Sequence, residues 1–209
     1  MSLTLRIIPS LLASNDRLVK GINFKNHLDV GDPITTSKSL EAQGADEILL
    51  VSLDHYKNPK IEKNSLSLLR NISKNLMTAI TFGGGIDSFS KAKECLKQGA
   101  DKVLISSALF KNIKIVNEIS KVFGNQSIVC GINITEKKGK YFLYENPNLN
   151  LNDWLEKINK LPTGEIKITF VNLEGSKKGP DLKFCKELIS FFNHPVIIEG
   201  GIGNLQHIK

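Results

Sequence analysis

The sequence predicts an α/β protein with a parallel sheet, and three observations carry that expectation. Short apolar runs of strand length alternate with longer helical patterns from one end of the chain to the other. The strand runs are apolar almost without interruption, as expected of strands covered on both faces. Two strand runs end in the same way, in Phe82-Gly83-Gly84-Gly85-Ile86-Asp87-Ser88 and in Ile198-Glu199-Gly200-Gly201-Ile202-Gly203-Asn204. Glycines at a strand-to-helix turn let the backbone approach a ligand, and the N–H groups of a helix start suit a phosphate. The echo lies 116 residues on, from Gly84 to Gly200, which points to a doubled βα protein that holds a ligand with a phosphate at each end. The architecture that fits is a (β/α)8 TIM barrel of the phosphate-binding, half-barrel-repeat type.

The elements follow in order. Leu5 to Leu12 is the first buried strand, with Asn15-Asp16 punctuating its end, and a loop from Lys20-Gly21 to Gly31-Asp32-Pro33 leads to a helix over 34–43. Glu47 to Leu53 is strand two, 63–74 a helix, and Met77 to Phe82 strand three. A helix over 87–96 follows, then strand four from Lys102 to Ile105, ending in Ser106-Ser107. The helix over 113–123, strand five from Ser127 to Ile134, and a small hairpin around Gly139 come next. Leu151 to Lys160 is a helix, Glu165 to Val171 strand six, 181–192 a helix, and Val196 to Glu199 strand seven. Gly44-Ala45-Asp46-Glu47 and Gly99-Ala100-Asp101-Lys102 read as matched helix-to-strand turns of a repeat. Seven βα units are legible in residues 1–209, read as one barrel domain whose last unit is expected to be missing, because an eightfold barrel closes only with the eighth.

Composition narrows the functions. At 41% hydrophobic and 23% charged the chain is an ordinary globular protein, and its net charge of +7 is spread along the sequence with no dense basic tract. Nucleic acid is therefore not the expected partner, and a phosphorylated small molecule is. Cys95, Cys130 and Cys185 lie far apart with no CxxC pair, so neither a metal nor a disulfide framework is expected, and a reducing cytoplasm is. No apolar run reaches membrane-spanning length, and no cofactor is called for.

Several ordered motifs give the chain a family likeness. Arg6-Ile7-Ile8-Pro9, Val19-Lys20-Gly21, Gly31-Asp32-Pro33, Phe82-Gly83-Gly84-Gly85-Ile86, Gly99-Ala100-Asp101-Lys102-Val103, Phe123-Gly124-Asn125-Gln126-Ser127 and Glu174-Gly175-Ser176-Lys177-Lys178-Gly179 together resemble the cyclase subunit of imidazole glycerol phosphate synthase. That resemblance implies a glutaminase partner whose ammonia crosses the barrel to the C-terminal ends of the strands. There it reacts with a phosphoribosyl formimino carboxamide nucleotide, giving imidazole glycerol phosphate for histidine synthesis and an aminoimidazole carboxamide nucleotide. By resemblance, Gly84, Gly85, Ser106 and Ser107 form one phosphate site, with Ser-Ser where the family has Asn-Thr. Glu174, Gly175, Gly200 and Gly201 form the other, and Lys20 matches a family lysine that holds anionic substrate. Arg6, Glu47, Lys102 and Glu165 fall on the family's four-charge ammonia gate at the strands' N-terminal ends, where two cations and two anions neutralise one another. Asp46 and Asp101, each beside a gate residue, mark the glutaminase docking face.

The chemistry at the mouth departs from the family. Its two essential aspartates fall on Leu12 and Asn133, which do not titrate, and its strand-two aspartate falls on Ser52. Arg6 and Leu12, six apart, share a strand face, which aims Leu12 into the site. Asp54, His55 beside it and Glu199 are the candidate substitutes. Lys167 shares the face of Glu165 and Thr169, where the family is apolar, and an interior ammonium is costly unless paired: it either joins the charged ring or sits outward in a twisted strand, and an inward position calls the passage of ammonia into question. Ile8-Pro9-Ser10-Leu11-Leu12 resembles relatives encoded with surface-polysaccharide genes, thought to pass ammonia to a separate sugar amidotransferase.

Three readings stand. The chain is an ammonia-accepting and conducting synthase subunit of a glutamine amidotransferase complex, lacking cyclase turnover. Alternatively it is a working cyclase, a lyase of histidine biosynthesis, with other acid and base groups, or a non-catalytic phosphate-ligand scaffold. The two-phosphate isomerase of histidine synthesis shares the barrel, but it too relies on aspartates at the ends of strands one and five.

Overall fold

The computed structural model describes residues 5–54 and 59–208. The first strand, β1 (Ser10–Ser14), starts later than its apolar run: before it the Ile7 and Pro9 carbonyls accept from the N–H of Asp46 and of Leu49, but the Ile7 N–H goes to the Asp46 carboxylate and Pro9 has none. The expected loop after it is instead an antiparallel arm of two strands, β2 (Arg17–Ile22) and β3 (Lys25–Gly31). Two turns build that arm. Asn15 and Asp16, then Asn23 and Phe24, all take positive φ between 49° and 62°, the backbone that two-residue hairpins require. β3 is exposed along most of its length, so it carries no apolar alternation that would mark it as a strand.

The chain divides into two compact units, the first covering 1–19 and 29–108, the second 20–28 and 109–209. In the first, α1 (Pro33–Ala42) begins at Asp32, whose carboxylate accepts from the Thr35 N–H at 2.7 Å, with proline at the first helical position. β4 (Glu47–Ser52), α2 (Pro59–Ser73), β5 (Ala79–Gly83), α3 (Phe89–Lys97) and β6 (Lys102–Ile105) follow, and β1, β4, β5 and β6 pair in parallel in that order. Alternation splits the strand residues into two sets. Ile48, Leu50, Ile80, Phe82, Val103 and Ile105 are at most 2% exposed, as are Leu69, Ile72, Ala92 and Cys95 of the covering helices. Full burial of each such larger side chain stabilises the fold by roughly 2 kcal/mol. The other set, Glu47, Leu49, Val51, Thr81 and Lys102, faces away from the helices.

The matched turns are the same structure twice. Ala45 N–H reaches the Leu40 carbonyl as Ala100 N–H reaches that of Cys95, and Asp46 pairs with Ile7 as Asp101 pairs with Ile80.

The second unit holds α4 (Ile115–Phe123), β7 (Ile128–Lys137), β8 (Lys140–Leu143), α5 (Leu151–Asn159), β9 (Glu165–Phe170), α6 (Leu182–Phe191) and β10 (Val196–Glu199). β7, β9 and β10 are parallel neighbours, and β8 folds back on β7 through Lys138-Gly139, the hairpin expected around Gly139. Ile132, Ile134, Ile166, Ile168 and Phe170 form one face of these strands, each at most 2% exposed. Trp154 of α5 stacks on Phe110 at 4.3 Å, and Cys130 is buried so fully that desolvation pushes its thiol up to about 12. Among the described residues, seven parallel strands in sets of four and three repeat the βα unit of the (β/α)8 barrel class, in the order expected from the sequence. Among the described residues, no helix is long and apolar enough to cross a membrane.

Candidate active site

Charge collects at the N-terminal ends of the first unit's strands. The Glu47 carboxylate, 2% exposed, accepts from Arg6 at 3.1 Å and from Lys102 at 2.7 Å through one oxygen, and from the Thr81 hydroxyl at 2.5 Å through the other. A buried carboxylate needs this many donors to offset its lost hydration. Register explains the meeting: Thr81 is the parallel partner of Lys102 and of Leu49, and Glu47 lies two residues before Leu49 on the same face. Three of the four expected gate residues are thereby brought together. Glu165 opens β9 in the second unit and is 9% exposed.

Asp46 and Asp101 are exposed, and each carboxylate already has work within the fold. Asp46 accepts from the Ile7 N–H at 2.7 Å and Asp101 from the Ile80 N–H at 2.8 Å, so each pins the start of the neighbouring strand.

At the opposite ends of those strands, Gly84 follows β5 with φ near 109°. A Cβ there would lie 2.0 Å from the Ser52 carbonyl oxygen, so no other residue fits. Ser88 caps α3 beyond it, accepting from the Lys91 N–H. The register of Gly83 with Leu104 carries Gly84-Gly85 alongside Ile105-Ser106, and Ser107 stands exposed at the start of a single 3₁₀ turn. Leu12 pairs with Val51 and so shares the face of Glu47 and Thr81, away from the helices, as expected from its spacing to Arg6. Ser52 is on the other face: its hydroxyl is 2.9 Å from that of Ser65 in α2. A carboxylate at position 52 would therefore face α2 rather than the strand face of Leu12. Asp54, 2% exposed, accepts from the Asn15 N–H at 2.9 Å and lines a cavity of about 30 Å³ with Ser14, Asn64 and Leu68. That position ties it to the β1–β2 turn. His55 lies outside the described residues.

In the second unit the strand ends make a second backbone cradle. A Cβ on Gly201 would meet the Gly179 carbonyl at 2.6 Å, and one on Gly200 the Phe170 carbonyl at 2.6 Å, so the loops after β9 and β10 touch through bare backbone. Gly179 N–H donates to the Gly201 carbonyl at 2.8 Å, fixing that contact. Gly175 lies against Gly21 of the arm. Lys20 and Glu174, both expected here, form an ion pair, and the Glu174 carbonyl accepts from the Asn23 N–H at 3.1 Å. The Glu174 carboxylate thus anchors the arm through Lys20.

Lys167 does face inward, and it is paired. Its ammonium, on a residue 6% exposed, donates to the Thr169 hydroxyl at 2.6 Å and to the Glu199 carboxylate, which also accepts from Thr169 at 3.0 Å. Glu199 is therefore committed to neutralising Lys167. Asn133 pairs in register with Thr169 on the same face, and its amide donates at 2.5 Å to Glu145. Sequence reasoning passed over Glu145, since a lone carboxylate just past a hairpin has no periodic signal. Among the described residues, no group of three or more metal-ligating side chains gathers anywhere.

Residues 6–209 match the family described as histidine biosynthesis protein. The imidazole glycerol phosphate synthase subunit HisF of Clostridium botulinum is 35% identical over 98% of this chain and 83% of its own length. That of Sulfurisphaera tokodaii is 36% identical over 97% and 82%, and that of Prochlorococcus marinus 37% over 98% and 82%. With the family's model matched over 6–209 and relatives named HisF 35–37% identical over nearly the whole chain, the chain belongs to the histidine biosynthesis protein family.

Proposed function

We propose that this chain is the ammonia-accepting synthase subunit of a glutamine amidotransferase complex, in which the family's two-aspartate route to ring closure has been lost. The glutaminase subunit docks at the strands' N-terminal ends, beside Asp46 and Asp101. Ammonia enters past Arg6, Glu47 and Lys102, with Glu165 as the fourth gate residue. A phosphorylated small molecule is held at the other ends of the strands, by Gly84, Gly85, Ser106 and Ser107 at one phosphate and by Gly175, Gly200 and Gly201 at the other. Cytoplasmic residence suits this chemistry and the buried thiols of Cys130 and Cys185. The likeness of Ile8-Pro9-Ser10-Leu11-Leu12 to polysaccharide-associated relatives favours a separate final acceptor for the ammonia.

The observation that carries the proposal is the contrast between the two ends of the strands. Glu47 keeps both cations and Thr81 as partners, while Leu12 occupies the inner face where a titrating group is required. Calorimetry with the phosphoribosyl formimino carboxamide nucleotide tests the ligand. The wild-type chain is expected to bind it, with inorganic phosphate competing. Ser107→Glu, which sets a negative charge at one cradle, is expected to weaken binding by at least about tenfold, as is Gly201→Ala at the other. Binding that ignores both substitutions contradicts the assignment.

A further inference from the structure

The family's acid–base positions hold Leu12 and Asn133, yet one titratable group stands on the second of them. Asn133 Nδ2 donates to Glu145 Oε1 at 2.5 Å. The mount is rigid: Ile134 pairs with Leu143, and the Tyr144 N–H donates to the Asn133 carbonyl at 2.9 Å, so strand pairing delivers Glu145 to this place. The surroundings belong to the mouth of the second unit. The Tyr144 ring sits edge-on to Phe24 at 5.7 Å, the neighbouring Asn23 N–H bonds the Glu174 carbonyl, and Glu174 holds Lys20. Lys20 is thus matched by Glu174, and no cation pairs with Glu145 among the described residues. Glu145 is exposed, so a ligand can reach its carboxyl.

We infer that Glu145 is the catalytic proton-transfer residue of this chain, oriented by Asn133, which acts as a positioning residue. The inference rests on the reading of the mouth as an ammonia-accepting site, and it gives that mouth a slow addition chemistry of its own, without the family's aspartates, beside the hand-over of ammonia to a separate acceptor. When ammonia adds to a carbonyl-type carbon, its lone pair forms the C–N bond and the C=O π pair moves to oxygen. The nitrogen, now positively charged, gives a proton to the Glu145 carboxylate, and the resulting acid returns it to the alkoxide. N–H has been added across C=O, and the carboxylate is regenerated. Burial raises the Glu145 carboxyl above the ordinary glutamate range, with the Asn133 bond opposing, which is the direction that helps one group both accept and release a proton near neutrality.

The test supplies the full chain with the formimino nucleotide and ammonium chloride, following ring closure by absorbance and nucleotide affinity by calorimetry. The wild type is expected to close the ring slowly. Glu145→Gln, nearly isosteric and still able to accept from Asn133, is expected to slow it by at least about 100-fold with nucleotide affinity little changed. Wild-type rates in the Gln variant would overturn the inference, as would no closure by a wild-type chain that binds the nucleotide. Failure of the wild type to bind the nucleotide would instead overturn the ligand reading underneath, and calorimetry reports that separately.

Discussion

Replacing Leu12 and Asn133 together by aspartate is expected to raise ammonia-driven ring closure by at least about 100-fold over the wild-type chain. Both positions lie on strand faces turned away from the helices: Leu12 in register with Val51, Asn133 in register with Thr169. Leu12 is only half-buried, so a carboxylate there keeps part of its hydration. At 133 the new carboxyl would meet Glu145, which Asn133 now contacts at 2.5 Å. Two carboxyls that close share a proton, so an aspartate at 133 takes over from Asn133 the hold on Glu145, while position 12 supplies the second group of the family's pair. Each single replacement is expected to gain far less, since the two aspartates act as a unit. Ring closure by the double variant that stays at the wild-type rate would show that more than these two groups separates the chain from its relatives.

Glu199→Ala is expected to destabilise the fold by about 3–5 kcal/mol, the usual cost of stripping one partner from a buried ion pair. Lys167 is 6% exposed, and among the described residues its ammonium bonds the Thr169 hydroxyl and Glu199, so loss of Glu199 leaves it the neutral hydroxyl. The double variant Lys167→Met/Glu199→Ala removes the stranded cation and is expected to recover most of that loss. Urea unfolding of the four proteins of the cycle measures it. Additive losses in the double variant would mean that Lys167 and Glu199 stabilise the chain independently, against the geometry of the pair.

The repeat was legible in the sequence because β/α alternation is a local pattern. Lys102–Ile105 and Val196–Glu199 are strands at the expected bounds, and the two Gly-Ala-Asp turns are one structure used twice. The arm of β2 and β3 was not legible. β3 is exposed, and the arm's two turns are built by Asn15-Asp16 and Asn23-Phe24 without the Asn-Gly or Asp-Gly dipeptide that usually announces such a hairpin. At the candidate site, alternation placed Leu12 and Lys167 on their faces correctly. It could not find partners distant in sequence: Glu199 on Lys167, Ser65 on Ser52 and Glu145 on Asn133 depend on register and on a hairpin's length. Position 52 shows the limit most plainly, since residue matching to the family says nothing of which face a side chain takes.

The most direct trial of the central claim is to mix this chain with a glutaminase subunit from the same genome and measure glutamine hydrolysis with the formimino nucleotide present. A stable complex is expected, with hydrolysis accelerated about tenfold over the glutaminase alone, the size of an ordinary coupling between two sites. No complex at micromolar concentrations, together with unchanged glutamine hydrolysis, would contradict the account.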